Sequence, residues 1–432
     1  RRVSFLRKDF FRKRETLAKD PKLFQDQEDD VKLKEIQTNS TDNDSYLDRS
    51  FFEFDRNQNI GRILSQGSVA PEKNYRTKRQ VLMEYNATWS QGVFYVFNTS
   101  DHAVQKVFRM GVKVWSESTC VDFKEDRNAQ DKVVVVKDSV SFSDVGRFDG
   151  EQLLSISDDE ATEGTAVHEI GHALGLFHTM VRYDRDNYIE IVKNNLDPNC
   201  LGNFLKLKKN FADVYGLTYD YGSIMHYEGI RGSINGLPTM LAKIPNYQMT
   251  MGSPMISFSD IYMINQHYGC NAICNKSTSA NCVNEGYPHP RNCSMCICPS
   301  GYGGALCDRR AFPPPGCGEY LVATSEKQTQ VCRIGFGSNL RDHFIFCNYM
   351  ITAPKGKRIE IDIKSISPDF DEPGCLKGGV EVKAQADQKL TGYRFCSING
   401  TMNPIVSSSD RVPVILFNKF AVMQALFTYR HV

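Results

Sequence analysis

The stretch His168-Glu169-Ile170-Gly171-His172, followed six positions later by His178, sets a demand that few folds can meet. Read as a helix at ~100° per residue, it places His168 and His172 one turn apart on one face, where both imidazoles reach a single cation. Glu169 lies beside that face, positioned to handle the protons of an attacking water rather than to bind metal. On a continued helix His178 would be rotated by ~240° and raised by ~9 Å from His172. The helix must therefore stop in between, and Gly175 is the residue that permits a left-handed turn back toward the cation. Three imidazoles, a base and that glycine describe a catalytic zinc site with a fourth position open to water. The rival reading, histidines without a metal, leaves this spacing without a reason.

With 432 residues the chain exceeds what one hydrophobic core organises, which predicts two to four domains. A formal charge of +1 gives no footing for nucleic acid or an anionic membrane. No apolar run approaches the length of a bilayer span. The chain opens at Arg1 without Met, which reads either as loss of a signal peptide or as a fragment. The 14 cysteines indicate the compartment: nine fall between Cys270 and Cys332 at disulfide-like spacings, which predicts a secreted, extracellular protein. Candidate N-glycosylation sequons at Asn39, Asn43, Asn86, Asn98, Asn275, Asn292 and Asn399 agree with that expectation.

Beyond His178 the chain reads Thr179-Met180-Val181-Arg182-Tyr183-Asp184-Arg185-Asp186, and later Ser223-Ile224-Met225-His226-Tyr227. With the histidines, these segments resemble the astacin family of metzincin zinc peptidases. The resemblance implies an α+β catalytic domain over residues 80–270, with a twisted sheet, a zinc helix and an irregular lower lobe. It implies one Zn2+ per chain, held by His168, His172, His178 and, at rest, Tyr227. Glu169 would be the general base, Met225 the apolar floor under the metal, and Tyr227 the group that swings to stabilise the oxyanion. The layout and the phrase from Met251 to Phe258 look most like nematode astacins.

Three departures from the family pattern stand out. Thr179 replaces a glutamate that receives the buried mature N-terminus, so a longer, surface-lying N-terminus starting at Gln80 is expected. Ser141 and Glu160 stand where the family carries two cysteines flanking the active-site strand. Gly252-Ser253-Pro254 replaces a Gly-Gln-Arg whose arginine helps accept acidic residues after the scissile bond, so that preference does not carry over.

Residues 1–79 are charged and cysteine-free, and end in Arg76-Thr77-Lys78-Arg79 before Gln80. They read as a propeptide released by a furin-type protease between Arg79 and Gln80. Astacin propeptides present an aspartate to the zinc; the nearest match is Asp55 in Phe52-Glu53-Phe54-Asp55, with Asp48 and Asp44 as alternatives. Within the catalytic region, a buried strand is expected after Gly92, a helix over Ala103–Trp115, strands at Lys132–Lys137 and Gln152–Ser157, and a closing helix over Ser259–Tyr268. Residues 271–308 resemble an EGF-like module, which implies the pairs Cys274–Cys293, Cys282–Cys296 and Cys298–Cys307. Residues 309–316 form a proline-rich linker. Residues 317–432 read as an all-β sandwich resembling a CUB domain, which implies Cys317–Cys347 and Cys375–Cys396. Gly378 and Gly379 occupy the region where a calcium-type CUB carries an aspartate, so no calcium is expected.

Astacin-type pairing implies Cys120–Cys270. That leaves Cys200 and Cys332 over, and a bond between them would pin the CUB domain to the lower lobe; two buried thiols, or a bond to another chain, are the alternatives. The whole reads as a secreted zinc endopeptidase zymogen acting on extracellular, matrix or cuticle proteins, with the CUB domain able to dock matrix or substrate. The rival from another class is a non-catalytic matrix-binding protein working through its EGF-like and CUB modules.

Overall fold

The structure, a computed structural model, describes residues 79–82, 87–209, 211–313, 316–398 and 404–432. Asp44, Asp48, Asp55, Arg76, Asn39, Asn43, Asn86 and Asn399 lie outside the described residues.

The first strand, β1 (Arg79–Leu82), carries Arg79 and Gln80 and pairs with a later strand described below. The sheet of the upper lobe is built from β2 (Val93–Phe97), β3 (Phe123–Glu125), β4 (Lys132–Val136), β5 (Phe142–Ser143) and β6 (Glu151–Ser155). Its order is β3-β2-β4-β6-β5, all parallel except β5, which runs antiparallel along β6. The all-buried Lys132–Val136 run suits a central strand, where both faces are covered.

Helix α1 (His102–Ser118) starts at Asp101, whose carboxylate accepts from the Ala103 and Val104 amides. It buries Val104, Val107, Phe108 and Trp115 against α2 (Glu163–Ala173), the helix that carries the HExxH stretch. The two helices approach closely at Gly111, where a Cβ would lie 2.9 Å from Ile170 Cδ1. Trp115 and Trp89 donate their indole N–H groups to the Val167 and Ala173 carbonyls at 2.9 and 2.8 Å. Both tryptophans thus join large apolar burial to a satisfied polar atom, and both fix α2.

The lower lobe is irregular, with 3-10 turns and the short strands β7 (Ile189–Ile191), β8 (Ala212–Asp213) and β9 (Met240–Ala242). β7 pairs with β9, and β8 with β1. Helix α3 (Phe258–His267) opens on a reciprocal capping box between Ser257 and Asp260. It leads to Cys270, which is bonded to Cys120.

A disulfide-rich segment follows, with β10 (Tyr287–His289) on β11 (Asn292–Ile297) and β12 (Tyr302–Gly303) on β13 (Arg309–Arg310). Its bonds are Cys274–Cys293, Cys282–Cys296 and Cys298–Cys307. Arg291 from this segment reaches back to the Ser116, Thr119 and Val121 carbonyls and the Asp122 carboxylate at 2.6–2.9 Å. Because α1 has no basic residue in its last turn, this guanidinium supplies the cation its C-terminal end favours.

The C-terminal β unit comprises β14 (Tyr320–Val322), β15 (Gln328–Thr352), β16 (Ile359–Ile366), β17 (Gly378–Val382), β18 (Tyr393–Phe395), β19 (Ile405–Val406) and β20 (Arg411–His431). Hydrogen bonding joins all seven into one sheet, since β15 and β20 pair along most of their length. β17 borders the first part of β20 and β16 its last part. Register breaks between Gly335 and Ile345 interrupt the long pair, and residues from both halves share one core, so the sheet folds back on itself there. Cys317–Cys347 and Cys375–Cys396 close the unit.

The bridge between Cys200 and Cys332 is absent, and the expectation is corrected on that point. Cys200 packs into the lower-lobe core with Leu196 and Phe204, while Cys332 belongs to the core of the C-terminal unit. Each behaves as a small apolar side chain in its own interior. Burial pushes the Cys332 thiol up to about 11, which keeps it protonated.

Candidate active site

Helix α2 is capped by Thr162, whose hydroxyl accepts from the Thr165 amide at 3.2 Å. It ends at Ala173 because Gly175 takes φ +110°, with its amide on the His172 carbonyl and that of Leu176 on Gly171. This reversal carries Leu176 under His172 and brings His178 back to the same point in space. The Nε2 atoms of His168 and His172 each lie 3.2 Å from that of His178.

The protons on these rings can be assigned from their partners. His168 Nδ1 lies 2.7 Å from the Ile224 carbonyl, and His172 Nδ1 lies 2.7 Å from the Leu176 carbonyl. A carbonyl only accepts, so each Nδ1 carries the proton and each Nε2 presents a lone pair. Converging lone pairs repel unless a cation joins them. Imidazole nitrogens at ~2.05 Å from a tetrahedral zinc stand about 3.3 Å apart, so the donor set fits that ion. Among the described residues, this is the group of His, Cys, Asp or Glu side chains that gathers as metal ligands do.

Glu169 is buried beside His168, with 2% of its surface exposed. The Tyr227 ring centroid lies 4.4 Å from that of His178, and the Arg231 guanidinium stands 5.6 Å from the tyrosine ring. Met225 is fully buried, and Gly171 leaves room for it: a Cβ there would come within 3.0 Å of the Met225 sulfur. The segment carrying Met225 also holds the ligands, because its Ile224 and Met225 carbonyls accept from His168 Nδ1 and the Thr179 amide.

Several supporting contacts, and the groups Asp260 and Tyr219, were not evident from the sequence. Thr179 donates to Ser223 Oγ at 3.0 Å, and Ser223 donates to the buried Asp260 at 2.6 Å. Asp260 also accepts from the Ile224 and Ser257 amides at 2.9 Å each. Burial raises its carboxyl to about 6 despite these donors. His226 Nδ1 donates to the Tyr227 carbonyl at 2.7 Å, and Tyr219 donates its hydroxyl to Nε2 at 2.6 Å. Burial lowers the His226 pKa to about 4, so the ring is neutral and this pairing fixes its tautomer. The signal for Asp260 was its place as N3 of a helix starting with serine; Tyr219 gave none.

At the two departed cysteine positions, the Ser157 amide donates to Ser141 Oγ at 3.1 Å and its hydroxyl to Glu160 at 3.3 Å. A short polar chain therefore links the segments there. Ser253 faces the C-terminal unit, where Arg394 donates to its hydroxyl. The sequons at Asn98, Asn275 and Asn292 are exposed.

The family model for the astacin peptidases matches residues 81–269. Zinc metalloproteinase nas-31 of Caenorhabditis elegans is 44% identical over 362 residues, covering 83% of this chain and 59% of that protein. Zinc metalloproteinase nas-25 of the same nematode is 36% identical over 370 residues, covering 83% of this chain and 91% of that protein. High choriolytic enzyme 1, a hatching enzyme zinc-protease from the medaka Oryzias latipes, is a solved structure at 29% identity and a TM-score of 0.39. It covers 46% of this chain and 99% of its own. A fold with two helix-borne histidines, a third after the helix has turned back, and a buried methionine beneath them is the metzincin class. The chain belongs to its astacin family. It spans about three fifths of the length of the first two nematode relatives it matches.

Proposed function

We propose that this chain is a secreted zinc-dependent endopeptidase made as a zymogen and acting on extracellular, matrix or cuticle proteins. The observation that carries the reading is the convergence of three imidazole Nε2 atoms, those of His168 and His172 in the ligating tautomer, beside a buried carboxylate. His168, His172 and His178 would hold one zinc, with Tyr227 as a further ligand at rest. When bound, the ion polarises the scissile carbonyl and lowers the pKa of water to about 7.

The chain's own groups do the rest. Glu169 takes the proton of the attacking water and returns it to the leaving amine. The Tyr227 hydroxyl donates to the carbonyl oxygen as negative charge develops there, a contribution of roughly 3–4 kcal/mol for a well-placed donor. The Ile224 and Leu176 carbonyls keep two imidazoles in the ligating tautomer.

The proposed organisation is a propeptide over 1–79, a catalytic domain over 80–270, an EGF-like module over 271–308, a linker over 309–316 and a CUB domain over 317–432. Six disulfides and the exposed sequons support secretion. No helix among the described residues is long and apolar enough to cross a membrane. A furin-type protease would cut between Arg79 and Gln80, and Asp55, Asp48 or Asp44 would keep the uncut chain latent.

Metal analysis together with hydrolysis of a denatured protein by the trimmed chain tests the proposal. Stoichiometric zinc and chelator-sensitive cleavage are expected. A trimmed chain that binds zinc but cuts nothing would leave the matrix-binding reading in its place.

A further inference from the structure

Segment Asp220–Glu228 carries Met225 and Tyr227, and its carbonyls hold the ligand-bearing stretches. The C-terminal β unit grips it from two sides. On the first, the Thr391 amide and hydroxyl both donate to the Asp220 carboxylate at 3.2 Å. Asp220 and Thr391 are each only 4% exposed. Asp220 in turn accepts from the Gly222 amide at 3.1 Å. Gly222 does not adopt a positive φ, so its backbone would tolerate a side chain. What forbids one is Thr391: a Cβ on Gly222 would lie within 2.6 Å of three of its side-chain atoms.

On the second side, the C-terminal unit holds the loop Met249–Pro254. The Arg394 amide donates to Thr250 Oγ1 at 2.9 Å, and its guanidinium reaches Ser253 while paired with the buried Glu381 at 2.9 Å. Gly374 packs on the same loop, where a Cβ would stand 2.5 Å from the Gly252 carbonyl. Gly252 itself lies flush against Glu228, the residue after Tyr227, with room for no Cβ.

We propose that the C-terminal β unit is a positioning element of the active site, clamping segment Asp220–Glu228 between Thr391 and the Gly374–Arg394 face. This rests on the zinc-peptidase reading above. The physical case is that the segment draws part of its support from outside the catalytic lobe. Gly222 has no side chain to pack, and the buried Asp220 carboxylate draws two of its donors from Thr391. Yet the same segment presents the Ile224 carbonyl to His168 and the Met225 carbonyl to the Thr179 amide. Groups that orient metal ligands typically change metal affinity or activity by about 10–100-fold when disturbed.

The test uses the full chain after trimming at Arg79. The rate of zinc loss to a chelator is measured well below Tm, together with kcat and KM for a short peptide. Gly222→Ala pushes against Thr391 and is expected to speed zinc loss by about 10–100-fold. It should lower kcat, with KM within about twofold. Gly222→Ala with Thr391→Gly frees the space and should recover much of that loss, whereas a merely structural role would move Tm alone. Lys106→Ala, which cuts the exposed ion pair to Asp342, is the control expected to change nothing.

Zinc loss and kcat within about twofold of the parent in Gly222→Ala, or additive rather than compensating effects in the pair, would overturn the clamp. If Gly222→Ala does not fold, Thr391→Val and Asp220→Asn decide: faster zinc loss supports the clamp, and unchanged loss overturns it. A parent chain that holds no zinc removes the peptidase reading and the clamp with it. A parent that holds zinc and cuts peptide but ignores these substitutions removes the clamp alone.

Discussion

Thr179 and Ser223, 44 positions apart, share a hydrogen bond of 3.0 Å that ties the residue after the third histidine to the turn carrying Met225. Thr179→Val, similar in shape but without the hydroxyl, should cost about 1 kcal/mol of stability and leave zinc bound. Thr179→Glu would bury a second carboxylate in the Asp260 network and should cost more than about 2 kcal/mol. Urea unfolding of the two variants checks both; a glutamate variant as stable as the parent would refute the account of this network.

Glu169→Gln keeps the volume and removes the base. Zinc content should stay at the parental level while kcat falls by at least ~10². Tyr227→Phe should also retain zinc and lower kcat more than it raises KM, because the hydroxyl acts mainly in the transition state. Peptidase activity near that of the parent in Glu169→Gln would rule out the proposed proton path.

The uncut chain should be latent, and cleavage between Arg79 and Gln80 should release activity. Both residues lie in β1, paired with Ala212–Asp213, so this strand must open for a protease to reach the bond. Asp55→Ala should raise the activity of the uncut chain. Unchanged latency in that variant would move the switch to Asp48 or Asp44. Equal rates before and after trimming would mean that residues 1–79 do not inhibit.

His226 and His267 should each add stability as pH rises from about 4 to 6.5. Burial lowers the pKa of His226 and of His267 to about 4, whereas an unfolded histidine titrates near ~6.5. Each histidine thus contributes stability that is present above ~6.5 and lost as pH falls through about 4. Asp260 acts oppositely: raised to about 6 from ~3.9, it contributes stability below ~3.9 that is lost as pH rises through about 6. Glu228, raised by burial, also opposes the histidines, so the parent's slope is a balance, and removing one histidine isolates its share of up to about 1.4 kcal/mol per pH unit. Unfolding of the zinc-free chain measures this, and His267→Asn should flatten the slope. A slope unchanged in His267→Asn would refute the assignment.

The sequence was most legible where a constraint is local. The spacing of His168, His172 and His178 with Gly175 encodes a helix and its reversal within a few residues, and the structure follows it. The four valines after Lys132 spoke equally clearly. Tertiary partnerships were less legible. Tyr219 meets His226, and Asp260 meets Ser223, only after the lower lobe folds, and no periodicity encodes such meetings. Counting cysteines misled for a related reason. Parity treats every thiol as seeking a partner, whereas Cys332 sits opposite Ala425 inside a sheet, filling space as alanine or valine would.

The contact between Asp220 and Thr391 spans 171 positions of chain. A ribosome extending at about 5–20 residues per second makes the first residue on the order of ten to thirty seconds before the second. Through that interval a nascent chain already carries all three histidines but not the threonine that covers Gly222. Completion of the cleft therefore waits on the synthesis of Thr391, and a message truncated before its codon would yield the ligands without their brace.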